Sequence, residues 1–167
     1  MQIQVQRYPI DVLTAHYRVY GELRSRGEPS VFLNDEEVET LTIYDATLMP
    51  LRQGMRLGAV TTTELHVPKT EPQVLILGGY VPQVKPLPKT SELICFTDTY
   101  VLRGTFHMGM EVKVLDLFYV QDIPFFPVTK LDIFALYPMA MEVKVMAELA
   151  YVQGDAVRAF YEKQLAD

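Results

Sequence analysis

Apolar and polar residues alternate through residues 13–23, and a period of two predicts a half-buried β-strand. The same alternation returns in residues 96–106, where Asp98 is the one polar residue on the apolar face. Three residue types recur in register between the two segments: Thr14 and Thr97, Tyr17 and Tyr100, Gly21 and Gly104. This self-similarity predicts one structural unit written twice, with the two glycines at bends of a curved sheet.

Further segments recur in the same order along both halves of the chain. A short helical segment is predicted at residues 31–34 and again at 114–118, and strands are predicted at 41–48 and 126–133, at 60–67 and 143–151, and at 74–77 and 157–161. Pro127 has no amide hydrogen, which predicts a strand start or a sheet edge. In the last segment, Asp155 is also suited to cap a helix over residues 156–166, and the repeat favours the strand.

These elements predict an all-β fold of two tandem, pseudo-symmetric units with about four strands each. The units form two small barrels or share one larger barrel, because closure removes exposed sheet edges. Residues 1–80 are the first unit and residues 91–167 the second, and three prolines within residues 81–90 predict an extended, semi-rigid linker. The aromatic residues of the second unit exceed what one small unit covers, so we expect contact between the units: Phe118, Tyr119, Phe125 and Phe126.

Composition narrows the class of protein. A hydrophobic content of 49% with 22% charged residues is that of a folded globular chain. The net charge of −6 argues against nucleic-acid binding, and the nearest basic cluster, Arg18, Arg24 and Arg26, includes acidic Glu22 and Glu28. The N-terminus lacks the pattern of a signal peptide, and no apolar run is long enough for a transmembrane helix, so we expect a cytoplasmic protein.

Titratable residues do not form a catalytic or metal-binding motif. His16, His66 and His107 fall in three predicted strands without a partner at metal-ligand spacing. The acidic cluster of Asp35, Glu36, Glu37 and Glu39 lacks the spacing of a calcium loop and is interpreted as a solvated loop. The sequence therefore predicts no enzyme, no catalytic residue, no metal site and no cofactor.

Five further residues are assigned structural roles. Glu64 and Glu148 are interpreted as a carboxylate shared by both units that faces water or an ion-pair partner. Tyr17 and Tyr100 are interpreted as core residues whose hydroxyl groups find partners at the rim of the sheet. The single cysteine, Cys95, lies in an apolar run and is expected to be buried.

The second half of the chain carries a motif that resembles a known family. Residues 94–107 read Ile-Cys-Phe-Thr-Asp-Thr-Tyr-Val-Leu-Arg-Gly-Thr-Phe-His, and they are followed by Leu-Asp-Leu at 115–117 and Phe-Pro-Val-Thr at 126–129. This resembles a small bacterial domain family of unknown function, present here as two tandem copies. The first copy departs from the motif at Arg24 and Leu33. The resemblance implies a compact, curved unit of the Sm-like or a similar small-barrel type and supplies no activity.

The function expected from the sequence is therefore a binding or scaffold module without enzymatic activity, acting through protein–protein contacts. The alternative is a small barrel that senses a small ligand or binds nucleic acid. The sequence identifies no binding residues, predicts no membrane partner and leaves self-association open.

Overall fold

The computed structural model describes residues 4–79, 87–120, 122–143 and 146–164, and within these ranges the chain forms ten strands and four short helical segments. The first half contains β1 (Val5–Leu13), β2 (Tyr17–Arg26), α1 (Pro29–Leu33), β3 (Thr40–Pro50), β4 (Val60–Pro68) and β5 (Val74–Leu77). The second contains β6 (Lys89–Phe96), β7 (Tyr100–Met108), a 3₁₀ turn (Val114–Asp116), α2 (Leu117–Val120), β8 (Phe125–Ala135), β9 (Met146–Gln153), a second 3₁₀ turn (Gly154–Ala156) and β10 (Ala159–Glu162). The predicted all-β class is confirmed.

All ten strands belong to one antiparallel sheet in the order β10-β6-β7-β8-β9-β5-β1-β2-β3-β4. The last five strands of the chain and the first five are thus arranged in the same order, each with its final strand beside its first. The halves meet where β5 pairs with β9. In the described part of the chain β4 and β10 have a neighbour on one side only, so the sheet is open and strand pairing does not close the predicted barrel.

Each half has five strands because a further strand precedes each segment predicted as one strand. Residues 13–23 and 96–106 contain the last residue of β1 or β6, a turn, and most of β2 or β7. β1 ends at Leu13 and β2 begins at Tyr17. Between them the Tyr17 amide donates to the Thr14 hydroxyl oxygen at 2.9 Å and the Thr14 amide donates to the Tyr17 carbonyl at 2.9 Å. Thr97 and Tyr100 make the same two bonds at 2.8 and 2.9 Å. So tight a turn preserves the alternation, which is why periodicity did not reveal it.

The other predicted elements are present with shifted ends. The helical segments appear as α1 and as a 3₁₀ turn running into α2. Residues 159–162 form a strand, as the repeat favoured, and the alternative helix over 156–166 is not formed in its described part. Residues 144–145 of the predicted strand 143–151 and residues 81–86 of the linker lie outside the described residues, and β6 already begins at Lys89. Pro127 lies near the start of β8, where pairing with β7 has not begun, and not on an edge strand.

Gly21 and Gly104 occupy the bends predicted for them. The register of β2 against β3 shifts at Gly21, and that of β7 against β8 shifts at Gly104. A Cβ atom on Gly21 would lie 2.5 Å from the Tyr44 carbonyl oxygen, and one on Gly104 would lie 2.5 Å from Val128 Cγ1. Glycine is therefore required for the close approach of the neighbouring strand.

Two hydrophobic clusters fill the interior, one for each half, and each includes residues from the other half. Leu13, Leu51, Val74 and Ile76 belong to the cluster built mainly by the second half. Phe125 and Tyr151 belong to the cluster built mainly by the first. The expected contact between the halves is therefore present as a shared sheet with exchanged core residues.

We predict that Gly21→Ala lowers the free energy of unfolding by about 1–3 kcal/mol, because the added methyl group meets a backbone carbonyl that is fixed in the sheet. Gly58→Ala is the matched control, since nothing lies within 4 Å of a Cβ atom there. Urea denaturation of both variants measures the difference. Equal midpoints would contradict a steric role for Gly21.

Candidate interaction surfaces at the ends of the sheet

The junction between β5 and β9 shows what a covered strand looks like in this protein. All four residues of β5 are buried, and three of them pair antiparallel with β9: Val74 with Val152, Leu75 with Tyr151, and Ile76 with Ala150. Burial of apolar side chains on both faces is the main stabilising contribution expected at such a contact.

Buried polar side chains hold the two halves in register beside this strand pair. Gln73 accepts a hydrogen bond from the Thr97 hydroxyl at 2.7 Å and donates to the Thr99 hydroxyl oxygen at 3.2 Å. The Gln153 side chain donates to the Lys69 carbonyl at 2.7 Å. Asn34 exchanges two bonds with the backbone of Phe125, at 2.9 and 3.1 Å. Because these groups are buried or half-buried and partnered, losing one partner would leave another unsatisfied.

Sequence reasoning did not select Asn34, Gln73 or Gln153 as important residues. None of them lies in a recognisable motif, and a lone amide side chain in a polar segment carries no spacing signal. Their role depends on which strands become neighbours, and that information comes only from the fold.

We call two residues matched when they hold the same position in the hydrogen-bond pattern of the two halves. The Gln73 amide donates to the Leu13 carbonyl, and the Arg158 amide donates to the Phe96 carbonyl. Likewise the Leu51 amide donates to the His16 carbonyl, and the Leu136 amide donates to the Thr99 carbonyl. The matched pairs are therefore Gln73 and Arg158, Leu13 and Phe96, Leu51 and Leu136, and His16 and Thr99.

The residues of the second half that match the buried junction residues are exposed or only half-buried. Leu136 is 46% exposed and Tyr161 is 52% exposed, whereas Leu51 and Ile76 in the first half are 0% and 3% exposed. Ala159 is also exposed, and the half-buried Phe96 ring stacks on Tyr161 with 6.3 Å between the ring centroids. We call these four residues, Phe96, Leu136, Ala159 and Tyr161, the β10 surface. Contiguous exposed apolar side chains of this kind mark interaction sites.

The opposite end of the sheet is formed by β4, a nine-residue strand. Its register with β3 is regular from Pro68 to Val60, with no bulge. Val60, Thr61, Thr63, Glu64 and His66 are exposed, and Glu64 is the only acidic or basic residue apart from His66. Edge strands are usually protected by charged side chains, above all lysine, by a bulge or by a proline. β4 carries the charge of Glu64, but it has no lysine, no register shift against β3 and no proline before its last residue, Pro68. Its matched strand in the second half is β9, which β5 covers.

The histidines do not come together. His16 lies in the turn between β1 and β2, so the prediction of a strand position is wrong for it, because the Thr14 turn interrupts the strand. His66 is exposed on β4, 3.0 Å from the Thr42 hydroxyl. His107 is half-buried on β7, where Nε2 lies 2.8 Å from the Thr129 hydroxyl and Nδ1 has no partner among the described residues.

The acidic residues face solvent. The side chains of Asp35, Glu36, Glu37 and Glu39 are exposed in the loop before β3. Within the described residues no three His, Cys, Asp or Glu side chains are grouped so that they would hold a metal ion.

The predicted equivalence of Glu64 and Glu148 is wrong. Glu64 pairs with Tyr44 on β3, whereas the residue at the same register in the second half is Leu149, which pairs with Thr129. The offset between matched residues of the two halves is thus one residue longer in this strand than the similarity of the residue types suggested. Both glutamates are exposed.

The predicted basic cluster is divided between ion pairs along β2. Arg18 makes two hydrogen bonds to Asp11, at 2.8 and 2.7 Å. Arg24 bonds to Glu22 at 2.8 Å and its guanidinium lies 3.8 Å from the centre of the Tyr44 ring. Arg26 is exposed and lies about 26 Å from Arg18 at the usual rise of a strand. The arginines therefore do not form one cationic surface.

The structural roles predicted for Cys95 and Tyr100 are confirmed. Cys95 is fully buried, and burial raises the pKa of its thiol to about 12. Tyr100 is also buried; its hydroxyl donates to the Thr14 carbonyl at 3.1 Å, and burial raises its pKa. Tyr17 is only half-buried. Among the described residues, no helix is long and apolar enough to cross a membrane.

We predict that His107 makes the protein less stable as the pH falls from about 7.5 to about 5.5. Burial lowers the pKa of His107 below its usual 6.5, so the unfolded chain binds a proton more readily than the folded chain in this window. Stability is therefore complete above pH 6.5 and decreases as the pH falls toward the lowered pKa. His107→Gln should reduce this dependence, and the exposed His66→Gln should retain it; melting temperatures at each pH provide the test. Identical pH profiles for wild type and His107→Gln would contradict the assignment.

Comparison of the chain with protein families, curated proteins and solved structures finds no match. The resemblance to a small bacterial family of unknown function therefore stays a prediction. Function has to be inferred from the junction, the β10 surface and β4.

Proposed function

We propose that the chain is a tandem of two matched units and that it acts as a non-enzymatic cytoplasmic scaffold, binding protein partners through the strands at the two ends of its sheet. The observation that carries this proposal is the difference between the strands at the two ends of the sheet and the strands at its centre. The same type of strand that is covered at the β5–β9 junction is uncovered in β4 and β10 within the described structure.

The tandem relationship is supported by matched backbone contacts throughout the two halves. The Lys69 amide donates to the Glu39 carbonyl as the Gly154 amide does to Pro124, and the Gly78 amide donates to Pro9 as the Lys163 amide does to Glu92. Two non-glycine residues with positive φ among the described residues also correspond: Asp45 at 47° follows Tyr44, and Lys130 at 51° follows Thr129. Such backbone conformations are uncommon outside glycine, so their recurrence at one position supports a duplicated unit.

Protein binding at a sheet edge follows from the chemistry of the backbone. An edge strand presents a row of amide and carbonyl groups that a partner strand can pair with, while side-chain pockets give specificity. β4 offers a nine-residue strand in constant register with β3, and its threonines at 61–63 are small and uncharged. β10 offers a shorter strand surrounded by exposed apolar side chains.

Site-specific photo-cross-linking tests the proposal. A benzophenone amino acid in place of Glu64 should give protein adducts when the chain is produced in its native host, because Glu64 is exposed in the middle of β4. The same amino acid in place of Glu28, in the exposed loop between β2 and α1, is the matched control, because β3 separates β2 from β4. No adduct at position 64 beyond the background at position 28 would refute binding at this edge.

We predict that the protein does not shift short RNA or DNA in an electrophoretic assay at low salt and micromolar concentration. Arg18 and Arg24 are already paired with Asp11 and Glu22, so few free cations are present to displace counterions from a phosphate backbone. A salt-dependent shift that is lost in Arg26→Ala would instead favour the alternative of a nucleic-acid-binding protein.

A further inference from the structure

We propose that copies of this chain associate head to tail, with β10 of one copy added antiparallel to β4 of the next in the same way that β5 is added to β9 within the chain. The inference rests on the proposed function and names the partner of both edges as a second copy. Its basis is that the described residues contain one complete example of the contact, β5 on β9, and two matched strands, β10 and β4, that each lack a neighbour on one side within the described structure.

The internal junction specifies the register of the proposed contact. Val74 and Ile76 of β5 match Ala159 and Tyr161 of β10, while Val152 and Ala150 of β9 match Val67 and Leu65 of β4. Because Val74 pairs with Val152 and Ile76 with Ala150, Ala159 is expected opposite Val67 of the next copy and Tyr161 opposite Leu65. Between them Phe160 is expected opposite His66.

The side chains at the two ends fit this arrangement. Within the chain, the first half contributes four buried apolar residues to the core of the second: Leu13, Leu51, Val74 and Ile76. The matched residues, Phe96, Leu136, Ala159 and Tyr161, are all apolar or aromatic although they are exposed or half-buried. On the receiving strand, Val67 and Leu65 are the inward-facing apolar residues, and both belong to or border the first core. The β10 surface thus has the apolar composition of the matched surface that is buried at the junction between β5 and β9.

One pair of like charges would weaken the proposed contact, so the strength of association depends on these two charges. One residue beyond Tyr161, Glu162 would lie opposite Glu64 of the next copy, where the internal junction has Leu77 and Leu149. Like charges directly opposite one another on neighbouring strands are destabilising. The proposed association should therefore be strengthened by removing the charge of Glu64, although that change leaves every apolar contact unaltered.

The contact is heterologous, because it joins two different surfaces of the chain. Repeated rotation by the same angle gives a closed ring if it returns to the starting copy and an open filament if it does not. Either product grows by the addition of whole chains. The proposal excludes a symmetric dimer in which two copies pair through the same edge.

Sedimentation or light scattering of the full chain over a range of micromolar concentrations tests the proposal. Wild type should form species larger than the 19.1 kDa monomer. Glu64→Gln should form them at about two- to fivefold lower concentration, the range expected for one like-charge pair. Tyr161→Asp should remain monomeric, whereas Val31→Asp, at a residue of α1 that is 67% exposed and lies near neither β4 nor β10, should behave as wild type. Wild type and Glu64→Gln that both remain monomeric, or a Tyr161→Asp chain that still assembles, would overturn it.

Mixing two blocked variants distinguishes head-to-tail from symmetric pairing. Tyr161→Asp blocks only the β10 end, and His66→Asp, at an exposed residue, places a carboxylate against Phe160 and blocks only the β4 end. Each variant alone should be monomeric, and the mixture should form a heterodimer through the two intact ends. A mixture that stays monomeric would contradict the proposal, as would either variant dimerising alone. A monomeric chain that still gives benzophenone adducts to other proteins at position 64 would refute self-association and leave edge binding in place, whereas absence of those adducts would refute both.

Discussion

The structure depends on the need of each strand inside the sheet for a hydrogen-bonding neighbour on both sides. β5 satisfies this need with β1 on one side and β9 on the other, and its four residues are buried as a result. Without that pairing the two halves would each expose a strand, and Gln73, Thr97 and Thr99 would lose the partners that they have only at this junction. One four-residue strand thus determines that ten strands form a single sheet with two cores and not two separate domains.

The sequence predicted the all-β class, because strand content depends on local patterns. Alternation identified the apolar faces, and the identical glycines identified the bends, where a Cβ atom would strike the next strand at 2.5 Å. The turn at Thr14 was not predicted because a tight turn preserves the alternation of apolar and polar residues. The predicted equivalence of Glu64 with Glu148 was wrong because similar residue types aligned one residue away from the strand-pairing register. Residues of the two halves are matched by their strand-pairing register and not by the similarity of their residue types.

The candidate site was beyond the reach of sequence reasoning for a different reason. Tyr161 and Leu136 read as ordinary apolar residues of a strand, and only the burial of Ile76 and Leu51 at the matched positions shows that their exposure is unusual. The same applies to β4, whose threonine-rich sequence is typical of a strand anywhere in a sheet. Whether a strand is central or at an edge is a property of topology, so the surfaces that matter here become visible only once the strand order is known.

The unequal lengths of the end strands have a consequence for how many contacts one edge can hold. Among the described residues, β5 has four residues and β9 has eight, and three residue pairs join them. β4 has nine residues and β10 four. A β10 strand paired near Val67 would therefore leave the stretch from Val60 to Thr63 unpaired, and a second extended segment has room to pair there at the same time. β4 would then have two binding positions, and occupancy of one would not compete with occupancy of the other.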